Sequence, residues 1–213
     1  MPRAQWEWGG DEGLFDHSKQ EQVRMHIAVQ QLTRSFGSVR ANDAISLDFA
    51  AGQIHGVLGE NGAGKSTLMK MLARFLRPDS GQIVLDGSPV RLSSPAAALH
   101  AGVGMIHQDP LDVPAFTALE NFICASPRRA FPTRAVARRI LHEQAHTLGF
   151  QVAPDQAMSR LTVGQRQQLE ILRLLALGVR LLILDEPTTG ISAVQKAALF
   201  AALRRFAAEE KTI

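Results

Sequence analysis

The sequence predicts an α/β protein in which a parallel sheet presents a phosphate-binding loop, and three features lead there. Residues Gly59-Glu60-Asn61-Gly62-Ala63-Gly64-Lys65-Ser66 follow the pattern G-x-x-x-x-G-K-S, with Thr67 next. Leu181-Leu182-Ile183-Leu184 is an apolar run that ends in Asp185-Glu186. Strand-like and helix-like periods alternate around both stretches. In the first stretch, glycines let successive backbone N–H groups turn inward around an anion. Lys65 reaches terminal phosphates as a point charge, and the Ser66 hydroxyl is placed to ligate Mg²⁺. Ile54, Val57 and Leu58 predict a buried strand entering the loop. Lys65 to Phe75 predicts a helix leaving it, with Leu68, Met71, Leu72 and Phe75 on one face. The helix N-terminus then aims its unpaired N–H groups at the phosphates.

The other elements follow in order. Residues 1–24 hold Gly9-Gly10, Trp6, Trp8 and several charges with no sustained period, and are expected to form a flexible tail. Met25 to Leu32 predicts a strand. In Ala44 to Phe49 the residues Ile45, Leu47 and Phe49 alternate with polar or small ones, the period of a half-buried strand. Gln82 to Leu85 predicts another, closed by the turn pair Asp86-Gly87. Pro95 to Ala101 predicts a short helix stopped by Gly102, and Val103 to His107 a strand. From about Asp109 to Arg160 strand signals vanish. Thr117-x-x-Glu120 is a capping box, and Thr133 caps a helix that runs to Leu148 and stops at Gly149. A further helix, Val163 to Leu177, stops at Gly178. Ser192-x-x-Gln195 caps a last helix through Ala208, with Leu199, Leu203 and Phe206 on one side. Thr212 and Ile213 read as the first residues of one more strand.

Composition narrows the class. The 213 residues suffice for one domain or a domain with a subdomain. A content of 46% hydrophobic and 20% charged residues is that of a folded globular chain. The formal net charge of +3, from 23 basic and 20 acidic residues, gives no case for nucleic acid. Cys124 is the single cysteine, so a disulfide framework and a CxxC metal site are both excluded and a reducing compartment is expected. No apolar run is long enough to span a bilayer, and the first residues lack the pattern of a signal peptide. Work at a membrane would therefore go through a partner.

Two further stretches bear on chemistry. A buried parallel strand over Leu181 to Leu184 would carry Asp185 and Glu186 to its C-terminal edge, where doubly wound sheets place ligands. Asp185 would then sit near a metal on Ser66, and Glu186 would be the base that orients the attacking water. Many buried strands end in an acidic turn, so this stretch gains its meaning from the loop. Leu161-Thr162-Val163-Gly164-Gln165 has two readings of equal standing. It is a well-capped helix start, or it is a helix N-terminus open to phosphate.

In the order of these motifs the chain resembles the nucleotide-binding subunit of an ABC (ATP-binding cassette) transporter, over roughly Met25 to Ile213. Gly59 to Ser66 corresponds to the Walker A loop, and Leu181 to Asp185, followed by Glu186, to Walker B. Leu161 to Gln165 corresponds to the LSGGQ signature. Gln108 matches the Q-loop, and Phe36 the aromatic that stacks on adenine. Taken alone, Gln108 reads as a strand-end polar residue and Phe36 equally as a core aromatic. Val163 replaces the first signature glycine, and the runs Gly59 to Lys70 and Val163 to Gln165 are similar to the simple-sugar and nucleoside importer branch. The resemblance implies a RecA-like core, an antiparallel β subdomain and an inserted α-helical subdomain over about 109–177.

It also implies ATP and Mg²⁺ as cofactors. Phe36, Glu60, Asn61, Ala63, Thr67, Thr162, Gly164 and Gln165 would join the loop glycines in holding nucleotide. Ser66, Gln108 and Asp185 would face the metal, and Lys65, Gln108 and Glu186 would act in hydrolysis. Two cassettes would pair head to tail, each nucleotide lying between one loop and the other subunit's signature helix. The implied partners are that second cassette, membrane-spanning permease subunits and, indirectly, a solute-binding protein. The implied place is the cytoplasmic face of the membrane.

Two departures qualify this. Thr188-Thr189-Gly190-Ile191-Ser192 replaces the usual SALD segment and lacks its aspartate. The family's switch histidine, expected after the strand begun by Thr212-Ile213, is absent. From this the chain is expected to be truncated at its C-terminus, marginally stable alone and slow in hydrolysis. The rival readings are an ATP-binding fragment with little turnover and an ABC-type ATPase outside transport.

Overall fold

The computed structural model describes residues 25–107, 112–124, 126 and 130–213. The expected tail at 1–24 and Gln108 lie outside the described residues. An antiparallel sheet is built first. Strands β1 (Ile27–Phe36) and β2 (Val39–Phe49) form a hairpin, and β3 (Ser80–Leu85) with β4 (Ser88–Val90) forms a second. The order across the sheet is β2-β1-β3-β4. The Asp86-Gly87 pair closes β3 to β4 as predicted, with φ of 49° and 78°, the left-handed pair that a two-residue hairpin needs. The expected alternation in β2 holds only in part. Ile45 and Phe49 pack partly on the core, but Leu47 is 42% exposed. β2 is an edge strand whose pairing with β1 shifts register more than once, so its faces are not kept uniform.

Between the hairpins lies helix α1 (Lys65–Leu72), which buries Leu68, Met71 and Leu72. The predicted extension to Phe75 does not form. Arg74 turns to φ 65°, and Phe75, 43% exposed, meets the His107 ring edge-on at 4.4 Å. Helix α2 (Pro95–His100) starts at Ser94, whose side chain accepts from the Ala97 N–H. It leads into strand β5 (Val103–Ile106), which pairs in parallel with β6 (Leu181–Leu184). Thr212 adds a parallel bridge beside Leu181.

The helical part comprises α3 (Ala118–Cys124), α4 (Arg134–Leu148) and α5 (Val163–Ala176), with α6 (Ala193–Ala208) packed on α4. The predicted boundaries hold because each carries its own stop or start. Thr133 accepts from the Val136 N–H, Gly149 takes φ 68°, and both Thr162/Gln165 and Ser192/Gln195 form complete capping boxes. Leu199, Leu203 and Phe206 are buried on α6, as their spacing predicts.

A second predicted element also fails. Ile54 to Leu58 is not a buried strand: Ile54 is 49% and Leu58 94% exposed. A strand is defined by its ladder, and here the ladder is short. Ile213 donates to the Gln53 carbonyl (2.9 Å) and accepts from the His55 N–H (2.7 Å). Beyond His55 no backbone hydrogen bond continues the pairing among the described residues, so 56–58 join no strand there.

The core falls into two clusters. One joins β1, β3, α1 and α2 through Met25, Ile27, Leu32, Met71 and Ile83; the other joins α3 to α6 through Phe122, Leu141, Ile171 and Phe206. Glu170 on α5 is buried, with Arg173 at 3.2 Å. Burial pushes the Glu170 carboxyl above the usual glutamate range, against the pull of Arg173. The folded state thus holds this proton more tightly than the unfolded chain, and the resulting stability is complete below the unfolded value of 4.5. It is lost as pH rises through the folded value. Glu170→Gln should therefore show a urea midpoint that falls less than the wild type's as pH rises from 4.5; equal slopes contradict the assignment.

Candidate functional site

The glycine-rich loop at 59–64 needs backbone that most residues avoid. Gly62 and Gly64 both take φ 84°. Gly64 is also pressed from outside, since a Cβ there would lie 2.2 Å from the Ala41 carbonyl oxygen. That carbonyl belongs to a bulge in the first hairpin. Arg34 pairs with Asn42 and Ser35 with Arg40, which leaves Ala41 unpaired and turned onto the loop. Asn42, itself buried, donates to the Gly64 carbonyl at 3.4 Å.

Gly64 is the N-cap of α1 and supplies no capping side chain. The first-turn N–H groups of α1 are therefore left for an acceptor from outside the helix. The Lys65 ammonium is held over the loop by the Gly59 and Glu60 carbonyls, each at 2.8 Å. An ammonium has three donors, so one remains for an anion in the loop. The Ser66 hydroxyl donates to Asp185 Oδ1 at 2.9 Å across 119 residues of sequence. This bond brings together the two stretches singled out in the sequence.

Asp185 stands at the C-terminal end of β6, whose ladder with β5 continues one step further: the Asp185 N–H donates to the Ile106 carbonyl at 3.2 Å. Glu186 is exposed and has φ 48°, a left-handed conformation unusual for a side chain of its size. The chain turns there, with the Thr189 N–H donating to the Glu186 carbonyl at 3.2 Å. His107, one residue before Gln108, has its Nε2 buried without a partner. Its pKa is lowered, first by burial and then by Lys70, while Asp185 opposes the shift.

Thr162, Gly164 and Gln165 lie elsewhere, at the start of α5. Their side-chain hydrogen bonds run to one another, to the Gln151 carbonyl, which accepts from Gln165 Nε2 at 3.5 Å, and to Gln195 of α6, whose Nε2 donates to Thr162 Oγ1 at 3.0 Å. None of those bonds reaches the loop at 59–66. Gly164 is where the two helix starts touch, since a Cβ there would lie 2.6 Å from the Gln195 side-chain carbon. Sequence reasoning gave Gln195 only its capping role and missed three contacts: Gln195 with Thr162, Asn42 with Gly64 and the Ala41 bulge with Gly64. Each joins residues far apart in the chain, and no local pattern marks it. Phe36, at the tip of the first hairpin, is 46% exposed and is thus not a core aromatic.

The donor set fits a hard cation. A hydroxyl and a carboxylate oxygen stand side by side, and Mg²⁺ is held by one or two such protein ligands plus phosphate and water oxygens. The arrangement as a whole can cradle a chain of phosphates on backbone N–H groups and neutralise it with Lys65.

Comparison with known proteins gives a consistent picture. The family described as ABC transporter matches residues 42–189. The arabinose import ATP-binding protein AraG 1 of Burkholderia lata is 39% identical over 176 residues, which are 82% of this chain and 35% of that protein. The ribose import ATP-binding protein RbsA 2 of Streptomyces avermitilis is 38% identical over 185 residues, 84% of this chain and 36% of its own length. The chain thus spans about a third of the length of these curated relatives. Among solved structures, a nucleotide-free ATP-binding cassette from an ABC transporter superposes with a TM-score of 0.78 at 22% identity, covering 88% of this chain and 79% of that one. The ADP conformation of the cassette MJ1267 does so at 0.74 and 24%, covering 88% and 78%. These likenesses establish the fold.

The two loop glycines should respond differently to alanine. Gly62→Ala meets open space and bears only the left-handed backbone, a loss of about 1 kcal/mol. Gly64→Ala adds a collision with the backbone of Ala41 and should cost more, on the order of 2–4 kcal/mol. Urea denaturation of both variants checks the ranking, and equal losses contradict it.

Proposed function

This chain belongs to the ABC transporter family, and on that premise we propose that it binds and hydrolyses ATP to energise import of a small solute of the sugar or nucleoside class. The observation that carries the reading is the Ser66–Asp185 hydrogen bond, because it sets hydroxyl and carboxylate together beside an open phosphate loop. The solute class comes from relatives whose names specify arabinose and ribose import.

In this reading Gly59, Glu60, Asn61, Gly62, Ala63 and Gly64 wrap the phosphates, with Thr67 behind them on α1. Lys65 contributes positive charge to the terminal phosphates, and Ser66 and Asp185 hold Mg²⁺, joined by Gln108. Bound MgATP supplies the phosphoryl group and the leaving group of the reaction. The carboxylate of Glu186 orients a water in line and accepts its proton. Its placement directly after Asp185, on a sharp turn, separates the two acidic roles: one faces the metal and one the water.

Thr162, Gly164 and Gln165 form the opposing wall for a second cassette's nucleotide. Among the described residues no hydrogen bond ties them to their own loop, which leaves them open to a head-to-tail partner. The helical part contacts permease subunits, which a solute-binding protein supplies with cargo. No helix of the described residues is long and apolar enough to cross a membrane, so the permease would hold the chain at the inner face.

The roles separate in binding and turnover. Lys65→Ala should weaken MgATP binding at least about tenfold in calorimetry, since a charge-assisted contact is removed; unchanged affinity contradicts the cradle. Glu186→Gln should bind MgATP within about threefold of wild type while single-turnover hydrolysis falls about 100-fold or more. Loss of binding in that variant would make Glu186 structural instead.

A further inference from the structure

The tip of the first hairpin carries contacts that phosphate chemistry does not explain. Arg34 and Phe36 are two residues apart on β1 and share a face. The Arg34 guanidinium carbon lies 4.9 Å from the centre of the Phe36 ring. Arg34 is not free to wander. Its NH1 donates to Asp79 Oδ1 at 2.7 Å and to the Arg77 carbonyl at 3.1 Å. Its Nε is buried and has no hydrogen-bond partner, so the ring is what that part of the cation leans on. The second oxygen of Asp79 accepts from the Ser35 N–H at 2.7 Å, and the Asp79 N–H donates to the Thr33 carbonyl at 2.9 Å. One carboxylate therefore fixes both the backbone just before Phe36 and the cation on one face of its ring. The Ser35 N–H and then Arg34 hold the Asp79 carboxyl below the usual aspartate range, so the clamp persists to lower pH than an ordinary aspartate would allow.

The clamp is joined to the phosphate loop. Arg34 pairs directly with Asn42, and Asn42 donates to the Gly64 carbonyl. Phe36 lies two residues further out, about 7 Å along the strand, with nearly half its surface exposed. The resemblance implies that Phe36 stacks on adenine, and the structure adds that its ring is backed by a fixed cation.

We propose that Arg34 and Asp79 are positioning residues that lock Phe36 as a stacking platform for the purine base. They would thereby set how much the base adds to phosphate binding. The proposal rests on the phosphate-loop reading above. Calorimetry on the full chain with Mg²⁺ and either ATP or inorganic triphosphate tests it.

Wild type should bind ATP about tenfold or more tightly than triphosphate, the size of one base–aromatic stack. Arg34→Met, which keeps an unbranched stem without the charge, should erase most of that ratio while triphosphate affinity stays within about twofold. Asp79→Asn should do the same more weakly, because the amide still offers one acceptor. Phe36→Ala should abolish the ratio, and Arg34→Met added to it should change nothing more, as a coupled pair requires.

An unchanged ratio in Arg34→Met overturns the proposal. So does a parallel loss of both ligands, which marks a merely structural role. A wild type that binds triphosphate as tightly as ATP removes the platform and leaves the phosphate loop standing. A wild type that binds neither removes the phosphate-loop reading and this proposal together.

Discussion

The constraint on which the rest of the molecule depends is a two-stranded parallel ladder buried on both faces. β5 and β6 pair from Val103–Leu181 to Ile106–Leu184. Because side chains alternate along a strand, the ladder divides its residues between the two cores. Val103, Met105, Leu181 and Ile183 belong to the cluster under the antiparallel sheet; Ile106 and Leu182 belong to the helical cluster. Gly104 faces the helical side, where a Cβ would lie 2.9 Å from Val179. Both cores thus close on the same short ladder, and Asp185 is placed by a strand that cannot slip register without turning both faces inside out.

Everything at the candidate site converges on that fixed edge. α1 brings Ser66 to Asp185, and α1 is itself pinned by Leu68, Met71 and Leu72 in the first core. The antiparallel hairpin adds a second anchor through the Ala41 bulge and Asn42. Thr212 ties the parts together again. Its hydroxyl, fully buried, donates to the Met25 carbonyl at 2.6 Å and accepts from the Gly52 N–H at 3.0 Å, while its backbone extends the ladder beside Leu181. The loop at 59–64 is therefore a glycine-rich sequence held by packed neighbours, the arrangement on which positioned phosphate chemistry depends.

Much of this was legible in the residues. Helix limits were clear wherever the sequence carries its own punctuation, as at Thr133, Gly149, Thr162, Gly178 and Ser192, because capping is a local interaction. The run from Leu181 to Leu184 reads as a strand buried on both faces, and it is one. Two expectations failed for a shared reason. The strand over Ile54 to Leu58 needs a neighbour along its whole length and, among the described residues, finds one only at Ile213. The last turn of α1 toward Phe75 was displaced by a backbone turn at Arg74 and a ring contact with His107. Apolar spacing shows what a segment would bury, and tertiary neighbours decide whether it can.

By itself the sequence determined which groups the candidate site offers: the glycine pattern, Lys65, Ser66, Asp185 and Glu186 lie in two short stretches. It also determined most helix boundaries. Only the tertiary structure decided which distant residues meet. Ser66 reaches Asp185, Ala41 and Asn42 press on Gly64, Gln195 holds Thr162, and Asp79 holds Arg34 against Phe36. The physical reason is range. Capping, turns and periodicity act over a few residues and leave a pattern in the chain. Contacts that orient functional groups span tens to over a hundred residues and depend on register, bulges and packing, which no local pattern records.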